Sequence, residues 1–313
     1  MSVGTSGLHH VTAISGEPQA TVDFYAGVLG LRLVKRTVNF DDPFTYHLYF
    51  GDERGSPGTI VTFFPWPGAG RGRGGNGQVN VISLAVPRNS LGWWLERLIS
   101  KGVAHEGPVR RFGDQVLTLK DQDGIALELV ACAPAAPGGA WGRGSVPADH
   151  AIRGVHGVTL WEEALAPTAE FLTGVMGFRA AGSEGSIHRF EGGSGGAGTI
   201  ADVRVASGFW SAAMGVGTVH HVAWRTGNDA TQLAARGALM EAGIPVTPVK
   251  DRQYFKSIYF HEPGGVLFEI ATDAPGFATD EPLETLGTML KLPPWLEAQR
   301  DAIAKKLPAF HSP

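Results

Sequence analysis

Residues 7–14 of the chain read GLHHVTAI, and residues 218–224 read TVHHVAW. Each sets two adjacent histidines inside an apolar run of strand character. A buried imidazole needs a polar partner, so a doubled pair that recurs late in the chain points to a feature of the fold.

Working outward from these pairs, the chain repeats itself. TVDFYAGVLGLR (Thr21–Arg32) and TAEFLTGVMGFR (Thr168–Arg179) agree at six of twelve positions. The same offset lays LHHVT (Leu8–Thr12) on VHGVT (Val155–Thr159). A second pair, DGIALELVACAP (Asp123–Pro134) and GGVLFEIATDAP (Gly264–Pro275), places Arg111 on Arg252 and Thr118 on Tyr259 upstream. Four units result, at residues 7–65, 79–132, 154–206 and 218–273, each reading as strand, helix and further strands. The first two form an N-terminal half (1–132). A Pro/Gly/Ala-rich linker (133–150), a C-terminal half (151–273) and a tail (274–313) follow. The expected fold is α+β, four βαβββ modules forming two cups. A module of this size cannot cover its own small sheet, so modules must pair.

Composition narrows the function. The chain has 313 residues, 44 glycines, net charge −4 and no basic stripe, which argues against a nucleic-acid partner. The single cysteine, Cys132, follows an apolar run and reads as a buried hydrophobe. No stretch reaches the ~18–20 apolar residues of a membrane span, and no leader is visible, so a cytoplasmic location is expected. A homodimer is the default assembly. GAGRGRGGNGQ (Gly68–Gln78) reads as a flexible connection between modules. KLPPWLEAQRDAIAKKL, in the tail, reads as an amphipathic helix begun by proline. His47 and His188 read as hydrogen-bonded strand residues.

Strand neighbours point to opposite faces, so one histidine of each pair faces the cup. The third module keeps His156 at the register of His9 but has Gly157 at that of His10. The second position is thus a histidine only in some modules, which marks His10 and His221 as the inward pair. Glu269 lies in the apolar closing strand GGVLFEIAT, where an unpartnered carboxylate is costly. Its register equivalents are Thr62, Glu128 and approximately Asp202. Two imidazoles and one carboxylate are the donor set of non-haem Fe(II) oxygenases. Only a pairing of module one with four, and two with three, collects them. The second cup, with carboxylates and no inward histidine, is expected to be inactive.

These residues carry a resemblance. LHHVTAI, FYAGVLGLRLVKRTVNFDDP, YHLYFGDERGSPGTIVTFFP, DHAIRGVHGVT, HHVAW, DRQYFKSIYFHEPGGVLFEIATD and GFATDEPLETLG together resemble the vicinal oxygen chelate superfamily. Within it, the chain is similar to ring-cleaving dioxygenases of the chlorohydroquinone and methylhydroquinone type. The resemblance implies the vicinal-oxygen-chelate cups with the pairing above. It implies Fe(II), with Mn(II) as the alternative metal, on His10, His221 and Glu269, and a small aromatic diol with O2 as substrates. Family positions around the metal fall on His9, Thr12, His220, Arg252 and Tyr259. Catechol enzymes of the superfamily take their histidines from modules three and four, which would require His156 or Gly157. Two other activities share the fold: a metal-dependent lyase or isomerase of the glyoxalase kind, and a non-enzymatic small-molecule binder. The former uses a fourth protein ligand, whose register here holds Thr62.

Overall fold

The computed structural model describes residues 3–132 and 139–311; residues 133–138 of the expected linker lie outside them. Module one comprises β1 (Leu8–Ser15), α1 (Pro18–Val22), β2 (Arg32–Asn39), β3 (Asp42–Gly51) and β4 (Ile60–Pro65). Module two follows with β5 (Gln78–Pro87), α2 (Leu91–Ser100), β6 (His105–Arg111), β7 (Asp114–Lys120) and β8 (Ala126–Cys132). Module three has β9 (Gly154–Glu162), α3 (Leu165–Gly174), β10 (Arg179–Glu184), β11 (Ile187–Glu191) and β12 (Ile200–Val205). Module four has β13 (Thr218–Thr226), α4 (Asp229–Glu241), β14 (Lys250–Asp251), β15 (Lys256–His261) and β16 (Leu267–Thr272).

Two eight-stranded sheets result, in the orders β14-β15-β16-β13-β1-β4-β3-β2 and β10-β11-β12-β9-β5-β8-β7-β6. Module one therefore pairs with module four, and two with three, as expected. The joints are the antiparallel pairs β1–β13 and β5–β9. The buried apolar faces of the sheets and helices merge into a core that includes Trp94, Phe63, Trp224 and Phe268.

The helices follow local chemistry with some departures. Asn228 caps α4 reciprocally with Thr231, whereas Ser90, at the start of α2, turns its hydroxyl back to the Pro87 carbonyl. The helix of module one is α only through Val22 and continues as a π turn, Asp23–Val28. That wider turn carries the buried Tyr25, whose hydroxyl donates to Asp121 at 3.0 Å. In the tail a 3₁₀ turn, Pro294–Gln299, precedes the short α5 (Arg300–Lys306). The glycine-rich connection after β4 is also ordered. It pairs with the connection before β13 through Arg71–Val216, Arg73–Ala213 and Asn76–Ser211. Gly75 is required there, because a Cβ would meet the Trp210 carbonyl at 2.4 Å.

The opening strands correct the assumption of strict alternation. Along β1 and β13 the register skips His9 and His220, and along β5 and β9 it skips Asn80 and His156. Each opening strand thus carries a β-bulge one residue before its inward position. A bulge lets two consecutive side chains share a face, and the His9 and His10 Nδ1 atoms lie 2.9 Å apart.

Candidate metal centre and pocket

The bulges bring the ligand positions to the middle of the first sheet, where β1, β13 and β16 lie side by side. His10 Nε2 stands 3.3 Å from His221 Nε2 and 3.4 Å from Glu269 Oε2, and His221 Nε2 is 2.9 Å from the same oxygen. All three residues are buried. Among the described residues, this trio is the cluster of His, Cys, Asp and Glu side chains that could hold a metal ion.

The donor set fits a metal on two grounds. A cation bound at ~2.1 Å to three mutually perpendicular donors spaces them by about 3.0 Å, close to what is seen. Glu269 Oε2 also has no aligned hydrogen-bond donor despite the nearby imidazoles, while Oε1 accepts from the Ser257 hydroxyl. An oxygen so placed is poorly served by imidazole N–H groups and well served by a cation. Burial alone would raise the Glu269 carboxyl, but His10 and His221 hold it well below the usual carboxylate range.

Around the trio lies a pocket of about 190 Å³. Phe40, Phe64 and Phe255 supply apolar wall, and His47, Tyr49, His220, Arg252 and Tyr259 supply polar groups. Arg252 Nε donates to the Tyr259 hydroxyl at 3.1 Å. Burial and the Glu269 charge push the Tyr259 phenol up, so it stays protonated.

Of the family positions, Tyr259, Arg252 and His220 line this pocket. His220 was expected to face away; the bulge turns it in, with its Nδ1 2.8 Å from that of His221. His9 lies behind His10 and packs on Phe255, ring centroids 5.0 Å apart. Burial and the adjacent imidazole, His10 or His221, hold His9 and His220 each down to about 3. Thr12 sits 2.9 Å, Oγ1 to Oγ1, from Thr62, the fourth ligand register.

Sequence reasoning missed Phe40 and Asp41 as parts of this wall; His47, read as a hydrogen-bonded strand residue, is that and lines the pocket as well. His47 Nε2 lies 2.8 Å from Thr62 Oγ1, and its Nδ1 lies 2.8 Å from the Tyr49 hydroxyl. The repeat held a signal: Tyr49 pairs with Thr62 as Tyr259 pairs with Glu269, so His47 occupies the register of Ser257. His188 pairs with Val203 in the other sheet, away from the site. A larger cleft of about 410 Å³ includes Arg32 and Trp141, but that arginine is committed to backbone carbonyls of Glu53, Leu283 and Glu284.

The second cup uses its carboxylates differently. Arg111 binds both Glu128 oxygens, and Arg189 binds Asp202 with two contacts of 2.8 Å. A Cβ on Gly157 would meet Ile200 Cβ at 2.9 Å, so no ligand side chain fits that register. His156 is buried there, and burial with the two arginines lowers it to about 3. The unfolded chain therefore binds a proton there that the folded one refuses. Stability should fall as pH drops from about 6.5 toward 3, at a slope of up to ~1.4 kcal/mol per pH unit for this group. Urea midpoints against pH should show a slope in His156→Gln that is shallower by up to one proton; equal slopes would contradict this.

Comparison with known proteins gives the context of this geometry. The family model described as Glyoxalase/Bleomycin resistance protein/Dioxygenase superfamily matches residues 7–129 and 154–270. A Bacillus subtilis (strain 168) protein named as a ring-cleaving dioxygenase, MhqO, is 47% identical over 310 residues, covering 99% of this chain and 98% of the relative. The chlorohydroquinone/hydroquinone 1,2-dioxygenase of Sphingobium indicum is 36% identical, covering 96% and 95%. The crystal structure of a protein from Bacillus subtilis subsp. subtilis str. 168, named as a dioxygenase, superposes with a TM-score of 0.95 at 47% identity, covering 99% of each chain. Glyoxalase I from Zea mays shares the fold alone, with a TM-score of 0.64 at 16% identity over 85% of this chain and 92% of that one.

Proposed function

The chain belongs to the glyoxalase/bleomycin resistance protein/dioxygenase superfamily, and from that premise we propose that it is an Fe(II)-dependent, extradiol-type dioxygenase that opens a hydroquinone ring with O2. The observation that carries this reading is the buried His10/His221/Glu269 donor set opening onto a pocket of about 190 Å³, enough for a single substituted ring. His10, His221 and Glu269 would hold the metal. When bound, it supplies Lewis acidity for a phenol and a meeting place for the phenolate and O2.

The remaining chemistry belongs to the protein. For the Nε2 lone pairs of His10 and His221 to be free, each Nδ1 must carry the proton and donate it to the preceding histidine. His9 and His220 then serve as neutral acceptors, which their low pKa values permit. The Tyr259 phenol, oriented by Arg252, donates toward charge that develops on the substrate oxygen. With Nδ1 accepting from His221, neutral His220 carries its proton on Nε2 and meets the pocket as a donor. The phenylalanine wall excludes water from these groups. A lyase of the glyoxalase kind is disfavoured because Thr62 is engaged by Thr12 and His47.

The test is O2 consumption by protein reconstituted anaerobically with Fe(II) and given a panel of hydroquinones and catechols. One O2 consumed per ring opened is expected for at least one hydroquinone. Turnover without O2 would favour the lyase, and absence of uptake with every diol would end the dioxygenase reading.

A further inference from the structure

The tip of the β2–β3 hairpin reaches from module one to the module-four wall of the pocket. Asn39, Phe40 and Asp41 all line it. Asp41 Oδ2 accepts from Arg252 Nη2 at 2.8 Å, and Lys250 Nζ stands 3.6 Å from Oδ1. Arg252 is the one permanent cation among the lining residues. Its side chain is 16% exposed, while that of Asp41 is 59% exposed. The pocket's cation is therefore already committed, and to a carboxylate held at the mouth.

The charge count then limits what can enter, on the premise of the dioxygenase reading. Among the groups that line the pocket, a divalent metal, Glu269, Asp41 and Arg252 together leave one positive charge. Lys250 lies outside the lining with its side chain 41% exposed, where solvent screens it. A hydroquinone that loses one proton on binding neutralises the remaining charge. A ring that also bears a carboxylate or sulfonate leaves a net negative charge against the phenylalanine wall, where an unbalanced charge is expensive. We infer that Asp41 sets the substrate class: by neutralising Arg252 it restricts the pocket to aromatic diols without an ionised substituent. Asp41 acts through Arg252, as a specificity-determining residue that need not touch the ring. Discrimination of this kind comes from withholding a partner from the wrong ligand.

The test compares two ligands of nearly equal shape, 2,5-dihydroxybenzenesulfonate and the neutral 2-(methylsulfonyl)benzene-1,4-diol. Binding to the full-length, Fe(II)-loaded protein is measured calorimetrically without O2. The unaltered protein should prefer the neutral ligand by at least about tenfold. Asp41→Asn, which keeps the size of the side chain, should raise sulfonate affinity by about tenfold, and the neutral ligand should move by less than about threefold. The sulfonate gain should shrink as salt is raised, and Asp41→Glu should restore the original preference. An unchanged ratio in Asp41→Asn, or a parallel loss for both ligands as from a disordered hairpin, would overturn the assignment. The affinity ratio is read without turnover, so its failure is distinct from a failure of O2 uptake.

Discussion

Glu269→Gln, His10→Ala and His221→Ala are each expected to abolish stoichiometric iron binding and O2 uptake. The three donors converge within 3.4 Å of one another from three strands, and Thr62, at the fourth register, is already engaged. Among the described residues, no other His, Cys, Asp or Glu side chain joins the cluster of three. Partners that merely orient a ligand command about 10–100-fold in affinity; losing a ligand should exceed about 100-fold. Glu269→Gln is the most informative substitution, since it keeps shape and removes the charge that balances the metal. Metal content by elemental analysis and O2 electrode traces read both effects, with circular dichroism as a check on folding. His156→Ala should leave metal binding intact, because His156 belongs to the other sheet. Loss of iron in His156→Ala with retention in His10→Ala would place the centre in the wrong cup.

The second large effect concerns stability. Lys35 is fully buried on β2, with Nζ 2.6 Å from Asp280 Oδ1, in contact with Glu281 Oε2, and 4.9 Å from the Tyr254 ring centroid. The Tyr254 hydroxyl donates to Asp280 at 3.0 Å, which closes the cluster. Removing one member of a buried ionic group leaves the others uncompensated, at a cost of about 3–5 kcal/mol. Lys35→Met keeps most of the apolar stem, yet it should still lose that amount, and the melting temperature should fall by on the order of 5–10 °C. The same cluster anchors the tail, whose Trp295 packs edge-on against the pocket residue Phe40 at 5.6 Å. A loss below 1 kcal/mol in denaturant titration would mean that the tail is held by its apolar contacts instead.

Much of this architecture was legible in the residues. The repeats are local strings, and the pairing of modules followed from asking which arrangement unites two histidines with a carboxylate. Gly157 broke the ambiguity of the doubled histidines, and the structure shows why it is glycine: Ile200 leaves no room for a side chain. The orientation of His220 was not legible, because the alternation rule holds only for an unbroken ladder. Whether a strand is bulged depends on its partner's register, which one strand does not specify. The commitment of Glu128 and Asp202 to Arg111 and Arg189 was equally hidden, since those contacts join different strands of the folded sheet.

The sequence by itself determined the four βαβββ modules, their pairing and the identity of the three converging donors. These rest on repetition and on side-chain chemistry, both of which a linear string records. Tertiary structure alone decided the bulges that turn His220 inward, and the hairpin that carries Phe40 and Asp41 to Arg252. It also decided the tail that packs behind them. Each of these is a contact between modules far apart in the chain, and its energy depends on distances and burial that exist only once the sheet has closed.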